Sequence, residues 1–386
     1  MTPFCGTAIG MDFQLDDEQA LIVQTVRRFA ERDLRAWAPA ADRTGEPPGR
    51  LDAVAGELGL LLDAVPAAAG GLLDGAYSHL ARALRGFELG RGCAALAALL
   101  EANVEPALAA ARWATPAAQG ALFAALTAGG LAALAHDSRG ALELADAGGD
   151  LRVTGRLGPV PVLAAADHVL VVAPGALLLL PAQGLAITPV MPSGWRAARW
   201  ATAQLDAHRV PADHVLARGE AARRAGAEVL AWARVSLAAR AAGVATAAME
   251  HAAAYAAERI QFGQPIGTFE ALIRLRDDAQ TAAQAARLFA LHAAWALDRG
   301  LPEAGDLASR ARVLAGDAVA RATIDAVQIY GGYGFVTDFP VEKLMRDARA
   351  FEALHGDERL YRALALKDAA ATTTASATAA PHAARR

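Results

Sequence analysis

The sequence predicts an α+β fold built in three blocks: a helical domain over residues 11–127, a small β-domain over 128–224 and a helical bundle over 225–369. Three observations carry this. Apolar residues recur at helical spacing up to about residue 127. From Gly129 the pattern becomes short apolar runs separated by Gly, Pro and Asp, as in a β-domain. From Ala225 long alanine-rich helical patterns return, of the kind that pack as antiparallel bundle helices. Blocks of helix, strand and helix give an α+β layout with the strands between two helical units.

The elements follow in order. Residues 1–10 read as a loose extension. In MDFQLDDEQALIVQTVRRFAERDLRAWA, Asp16 or Asp17 can cap a helix whose stripe is Leu21, Val23, Val26 and Phe29, and Pro39 is expected to end it. Further helices are expected over 77–89, 93–108 and 116–125. Strand-like runs occupy 131–135, 151–154, 168–172, 176–180 and 185–189. Bundle helices are expected over 225–259, 269–299 and 303–330. The last of these breaks at Gly331-Gly332-Tyr333-Gly334, where the backbone can turn or approach a ligand closely. A helix holding Arg346 and Asp347 follows Pro340, then a polar turn at His355-Gly356-Asp357 and a short helix with Leu360, Leu364 and Leu366. Residues 370–386, small and polar, read as a disordered tail.

Composition excludes several classes. The 386 residues suit two or three domains, and 54% hydrophobic content supports a large core. With 37 basic and 41 acidic residues, no basic excess points to nucleic acid. The apolar runs of the β-domain are too short to span a bilayer, and the opening MTPFCGTAIG lacks the basic and apolar regions of a signal peptide. Cys5 and Cys93 form neither a metal motif nor a disulfide framework, which suits a reducing cytoplasm, and Cys93 reads as a core residue.

Two motifs carry the chemistry. AVQIYGGYGFVTDFPVEKLMRDA (326–348) resembles the C-terminal signature of the acyl-CoA dehydrogenases, a flavoprotein family. AAYAAERIQFGQPIGTFEALIRLRDDA (253–279) resembles that family's R-x-x-F-G-x-P-I segment, and the two stand in the expected order. A third stretch, ELGL followed by VPAAAGG within residues 42–71, is similar to the family's early pattern, and VPADHVL within 201–220 to the exit of its β-domain. The resemblance covers roughly residues 11–369.

The resemblance implies FAD as cofactor and α,β-dehydrogenation of an acyl thioester, with a carboxylate taking the α-proton and the β-hydride passing to the flavin. The implied partners are an acyl-CoA or acyl carrier protein thioester, an electron-transfer flavoprotein and further subunits, in a dimer or tetramer. Arg259, Gln261 and Phe262 match the segment that reaches a neighbouring subunit's FAD, where a guanidinium pairs with a diphosphate. Gln328, Gly331, Gly332 and Gly334 match the second cofactor motif. Asp357 and Arg359 match the late turn at the cofactor, although an aspartate there would repel a diphosphate. Arg234 aligns with an arginine beside the acyl-CoA site.

The chain also departs from the family. His355 stands where many members have the catalytic glutamate, and Ala233 where others place it. An imidazole with an ordinary pKa near 6.5 is a base near neutrality. Glu270 replaces a glutamine and adds negative charge near an anionic cofactor. In the middle domain, AHDSRGALE offers only Ser138 and Gly140 where relatives carry a flavin-binding loop. GPVPVLAA lacks the tryptophan and hydroxyl of a flavin-facing strand, and Trp195 and Trp200 read as core or substrate-wall residues. Motifs serving a neighbour's flavin are thus kept better than those serving the chain's own. Three functions follow: a FAD-dependent dehydrogenase, alone or in a heteromer; a non-catalytic partner that completes the FAD site of a competent chain, as in mixed tetramers of the steroid side-chain type; and, last, a flavin-free enzyme using His355 for proton chemistry.

Overall fold

A computed structural model of the chain describes residues 14–355. The expected extension at 1–10, the tail at 370–386, the short helix after 357, and Asp357 and Arg359 lie outside the described residues.

The first block holds α1 (Asp17–Phe29), α2 (Arg35–Thr44), α3 (Leu51–Glu57), α4 (His79–Gly92), α5 (Ala94–Leu100), α6 (Val104–Trp113) and α7 (Pro116–Thr127). Asp16 caps α1 by accepting from the Gln19 N–H, and the Gln19 side chain answers to the Asp16 N–H, a capping box. Pro39 does not end the helix as the sequence suggested. A π turn at Ala30–Leu34 links α1 to α2, and α2 runs through the proline to Thr44. Tertiary contacts override the local signal: Ala38 and Ala41 are buried, and Asp42 is bound by Arg346 through a two-pronged guanidinium contact.

The helix expected over 93–108 is broken between α5 and α6. Asn103 causes the break usefully. Its amide donates to the Leu61 and Gly130 carbonyls, and its oxygen accepts from the Ala132 N–H, tying the helical block to the first strand. The span Ala94–Trp113 is long and apolar enough to cross a membrane by length and composition, and most of it is buried inside the protein.

Eight strands follow: β1 (Ala132–His136), β2 (Glu143–Ala147), β3 (Asp150–Val160), β4 (His168–Ala173), β5 (Ala176–Pro181), β6 (Ala186–Pro189), β7 (Ala201–Val210) and β8 (Val215–Arg218). They form two four-stranded sheets, ordered β1-β4-β5-β8 and β2-β3-β7-β6. Only the β1–β4 pairing is parallel in these two sheets.

The bundle begins at Gly219, inside the span assigned to the β-domain, because the alanines and arginines after Glu220 continue a helix without interruption. Its first helix, α8 (Gly219–Glu258), has 40 residues. A short hairpin of β9 (Ile260–Gln261) and β10 (Gln264–Pro265) leads to α9 (Glu270–Asp298), α10 (Ala304–Tyr330) and α11 (Pro340–Ala353). α8 is the axis of the molecule, packing on α4, α9, α10 and α11. Glycines bring α4 and α8 close: a Cβ on Gly90 would lie 2.4 Å from the Arg240 carbonyl oxygen, and one on Gly243 2.1 Å from that of Phe87. This crossing places the arginines of α4 beside those of α8.

Candidate active site

β1 ends in His136, and the next loop is closed by Asp137, whose carboxylate accepts from the Ala141 and Leu142 N–H groups at 2.7 and 3.0 Å. Gly140, with φ of +66°, makes the turn. This loop, the end of β3 and the chain after α11 enclose a cleft of about 710 Å³. Its walls include His136, Ser138, Arg139, Arg156, Trp200 and Thr202, with His355 at one end. Arg156 donates to the Thr202 hydroxyl at 3.2 Å. The cleft falls within the ordinary volume range of ligand pockets, about 300–1,000 Å³. The segment GPVPVLAA supplies Gly158, Pro159, Val160 and Pro161 to the wall.

Beyond His355 lies a second cavity of about 50 Å³. His355 and Ala233, the two positions that the sequence resemblance aligns with a catalytic base, both line it. The far wall is charged. Arg82 pairs with Glu105 at 2.7 and 3.1 Å, Arg85 donates to Glu101 at 3.1 Å and also binds Asp63, and Ser236 donates to Glu101 at 3.0 Å. Arg240 Nε stands 3.6 Å from Glu101. Burial pushes the Glu101 carboxyl up, and Arg82, Arg85 and Arg240 more than offset it, holding it below the usual range.

His355 has φ of +57°, a left-handed conformation uncommon for a non-glycine residue. Its carbonyl lies 2.5 Å from His136 Nδ1. A contact to a carbonyl requires the proton on Nδ1, so His136 donates and keeps Nε2 as an acceptor. Burial lowers the His136 pKa, which favours this neutral form. For His355, burial and then the charges of His136, Arg240, Arg312 and Arg234 push the pKa down to about 3. The expectation of a base near neutrality therefore needs correction: the ring is neutral at pH 7, and its conjugate acid is too strong for it to pull hard on an α-proton.

Arg234 is buried in the bundle and donates to the Ser309 hydroxyl at 3.2 Å. It acts on His355 and His136 through its charge rather than as part of either cavity wall.

The cofactor-motif residues gather elsewhere. Arg259 closes α8 and its guanidinium lies over the Tyr333 ring at 5.7 Å, joining the two motifs. Phe262 and Gly263, with φ of +53° and +79°, form the turn of the β9–β10 hairpin, and Phe262 is 93% exposed. Gln261 and Gln328 are exposed. Glu270 is bridged by Arg274 at 2.9 Å, which tempers its charge. The glycines divide by cause. Gly331 needs its φ of +58°, and a Cβ on Gly334 would lie 2.6 Å from the Val327 carbonyl oxygen. Gly332 has neither reason: its φ is not left-handed, and a Cβ there meets nothing within 4 Å. Between Ala233 and Arg259, 26 residues of helix span roughly 39 Å at 1.5 Å per residue. The base positions and Arg259 thus belong to separate regions of the chain.

The N-terminal domain model of the acyl-CoA dehydrogenases matches residues 16–130, and the C-terminal domain model matches 223–369. A probable acyl-CoA dehydrogenase of Bacillus subtilis is 31% identical over 378 residues, covering 91% of this chain and 98% of its own. The chain belongs to the acyl-CoA dehydrogenase family of flavin oxidoreductases. A second acyl-CoA dehydrogenase of Bacillus subtilis is 45% identical over 134 residues, 35% of either chain. Among solved structures, the glutaryl-coenzyme A dehydrogenase in complex with glutaryl-CoA superposes with a TM-score of 0.84 at 26% identity, covering 94% of this chain and 97% of its own. Butyryl-CoA dehydrogenase from Megasphaera elsdenii gives 0.83 at 25%, covering 93% and 99%. Both share the helical, β and helical arrangement of this chain, and among the structures that share the fold are a glutaryl-CoA dehydrogenase from Mycobacterium smegmatis in complex with FADH2 and PigA with FAD and proline.

Sequence reasoning missed His136, Arg240 and the charged wall of the inner cavity. The signal for the wall was present. Arg82 and Arg85 stand three apart on one helix face, and Glu101 and Glu105 are isolated carboxylates within an apolar run, where burial demands partners.

His79, beside this wall, stacks on Trp232 at 5.8 Å, and burial followed by the Arg82 charge pushes its pKa down to about 3. Between about pH 6.5 and 3 the unfolded chain therefore binds more protons than the folded one, so stability falls with acidification through that window. At pH 4.5 this group costs the fold about 3 kcal/mol, two pKa units below the free value. Urea unfolding of His79→Phe at pH 7 and 4.5 should show that much less loss than the parent. An unchanged difference between the two pH values would contradict the assignment.

Proposed function

We propose that the chain is a FAD-dependent acyl-thioester dehydrogenase subunit. The observation that carries this is the meeting of the two cavities at His355: a cleft of flavin-pocket size opens on one side, and a small cavity lined by both family base positions lies on the other. A flavin held in the cleft would supply a hydride acceptor for the thioester β-carbon. The chain's own residues do the rest. Ser138, Arg139 and Thr202 offer donors to the ring, and Trp200 a flat wall. His136 holds the His355 carbonyl and so fixes the turn that closes the site. Arg259, Gln328 and Gly332 present donors and open backbone at an exposed surface, which suits the diphosphate of a neighbouring subunit's FAD. The thioester carrier is CoA or an acyl carrier protein, electrons leave to an electron-transfer flavoprotein, and the location is the cytoplasm.

A second reading is favoured by one observation. Neither base position bears a carboxylate, and the carboxylates lining the inner cavity, Glu101 and Glu105, are bound to arginines. On that reading the chain completes the FAD site of a competent relative and does no chemistry of its own.

The test is a visible absorption spectrum of the chain expressed alone with FAD supplied, followed by anaerobic titration with butyryl-CoA. About one flavin per chain with slow bleaching supports the first reading. In that case His355→Glu, placing a carboxylate among three arginines, should speed bleaching at least tenfold, and His355→Ala should change it little. A colourless protein that takes up flavin only with a co-expressed relative supports the second reading. Flavin uptake under neither condition would overturn both.

A further inference from the structure

The inner cavity says what kind of acyl group the site takes, an inference that rests on the thioester reading above. Three buried donors that line the cavity have no hydrogen-bond partner among the described residues: Arg82 Nε, Arg240 Nε and the Trp195 indole N–H. Their residues are 2%, 7% and 1% exposed. Buried donors left open carry a desolvation cost that a ligand acceptor removes. Arg82 Nε and Arg240 Nε lie 3.8 and 3.6 Å from Glu101 oxygens, close enough for charge attraction and too far for a hydrogen bond.

Size sets a second limit. Ala233 and His355 place the reacting carbons at one end of the cavity, and Arg240 lies seven residues further along α8, two turns on the same face. The cavity between the two ends is small, about 50 Å³ against about 710 Å³ for the cleft. The acyl chain must stop within a few atoms of the β-carbon. The Arg82–Glu105 and Arg85–Glu101 pairs form the wall, so a longer chain would have to part buried ion pairs to enter.

Charge sets a third. Glu101 and Glu105 balance Arg82 and Arg240 in the lining. A carboxylate tail would gain from the arginines and be repelled by the two glutamates. A long alkyl tail would leave the three donors unmet. A hydroxyl or carbonyl oxygen accepts from the donors without adding charge.

We propose that this site takes short acyl thioesters, of about four carbons, whose chain ends in an uncharged oxygen, and turns away long saturated acyl groups. The three open donors and the ion-paired wall act as a gauge for length and polarity.

Binding tests this apart from turnover. Unreactive CoA thioethers are titrated calorimetrically into the full chain supplied with FAD. The 4-hydroxybutyl thioether should bind at least tenfold more tightly than the butyl one, and the octyl thioether more weakly still. Trp195→Phe, which removes only the N–H, should reduce the hydroxyl preference several-fold, and Arg240→Met should abolish it while improving octyl binding. Should Arg240→Met fail to fold, Trp195→Phe carries the test. Octyl binding as tight as hydroxybutyl binding would overturn the inference and leave the thioester reading standing. A succinyl-type thioether binding best would overturn the choice of an uncharged tail. Equal affinity for butyl and hydroxybutyl would mean that water alone fills the cavity, and would also overturn it. If no thioether binds, the thioester reading itself fails.

Discussion

Replacing Glu101 with glutamine is expected to destabilise the fold by about 3–5 kcal/mol, the usual cost of removing one member of a buried ion-paired group. Glu101 is 2% exposed and receives Arg85, Ser236 and, at longer range, Arg82 and Arg240. An amide keeps the shape and one acceptor, but it withdraws a negative charge that faces three guanidinium groups at once. Arg85 retains Asp63 and Arg82 retains Glu105, whereas Arg240 has no other ion pair among the described residues. The penalty should therefore fall mainly on Arg240, whose own pKa is already lowered, chiefly by burial. The double variant Glu101→Leu with Arg240→Leu separates the contributions, because it removes the orphaned charge together with its partner. It should recover a large part of the loss in urea unfolding. If Glu101→Gln costs less than about 1 kcal/mol, as for an exposed pair, the wall is solvated and does not stiffen the site.

The same network shows where sequence reasoning reaches its limit. The block order was legible because each block repeats one periodicity: helical stripes in α1, short apolar runs in β4 and β5, long alanine patterns in α8 and α10. The two family motifs were legible because they are contiguous. The inner wall was not, because Glu101 finds Ser236 at a separation of 135 residues and no local spacing encodes that pairing. Pro39 and Asn103 misled in opposite ways. The proline signals an end that Asp42 and its tertiary contact to Arg346 override, and the asparagine ends a helix for the sake of carbonyls on two other segments. His355 was visible in the sequence, but its weakness as a base comes from burial and then from the charges of His136 and of arginines on α8 and α10, visible only once the chain is folded.

Gly332→Val should remove bound flavin while leaving the fold intact. The two glycines of this turn give the contrast that makes the result readable. At Gly334 a Cβ would lie 2.6 Å from the Val327 carbonyl oxygen, so Gly334→Val must disturb the end of α10 and lower stability. At Gly332 a Cβ points into open space, and its backbone conformation is open to any residue. Its substitution should shift the unfolding free energy by no more than about 0.5 kcal/mol, the usual range for a surface change. Nothing among the described residues objects to a side chain there, whereas a dinucleotide lying against the backbone would. Flavin retained per chain should fall at least tenfold, equivalent to about 1.4 kcal/mol of binding. Arg259→Ala should act in the same direction, since its guanidinium is held over Tyr333 at the surface and not committed to an ion pair among the described residues. Absorbance after gel filtration, set beside unfolding curves for all three variants, reads both effects. If Gly332→Val keeps its flavin, the cofactor assignment of this surface fails even though the fold and family stand, and the search for the diphosphate moves to the cleft beside Arg139 and Arg156.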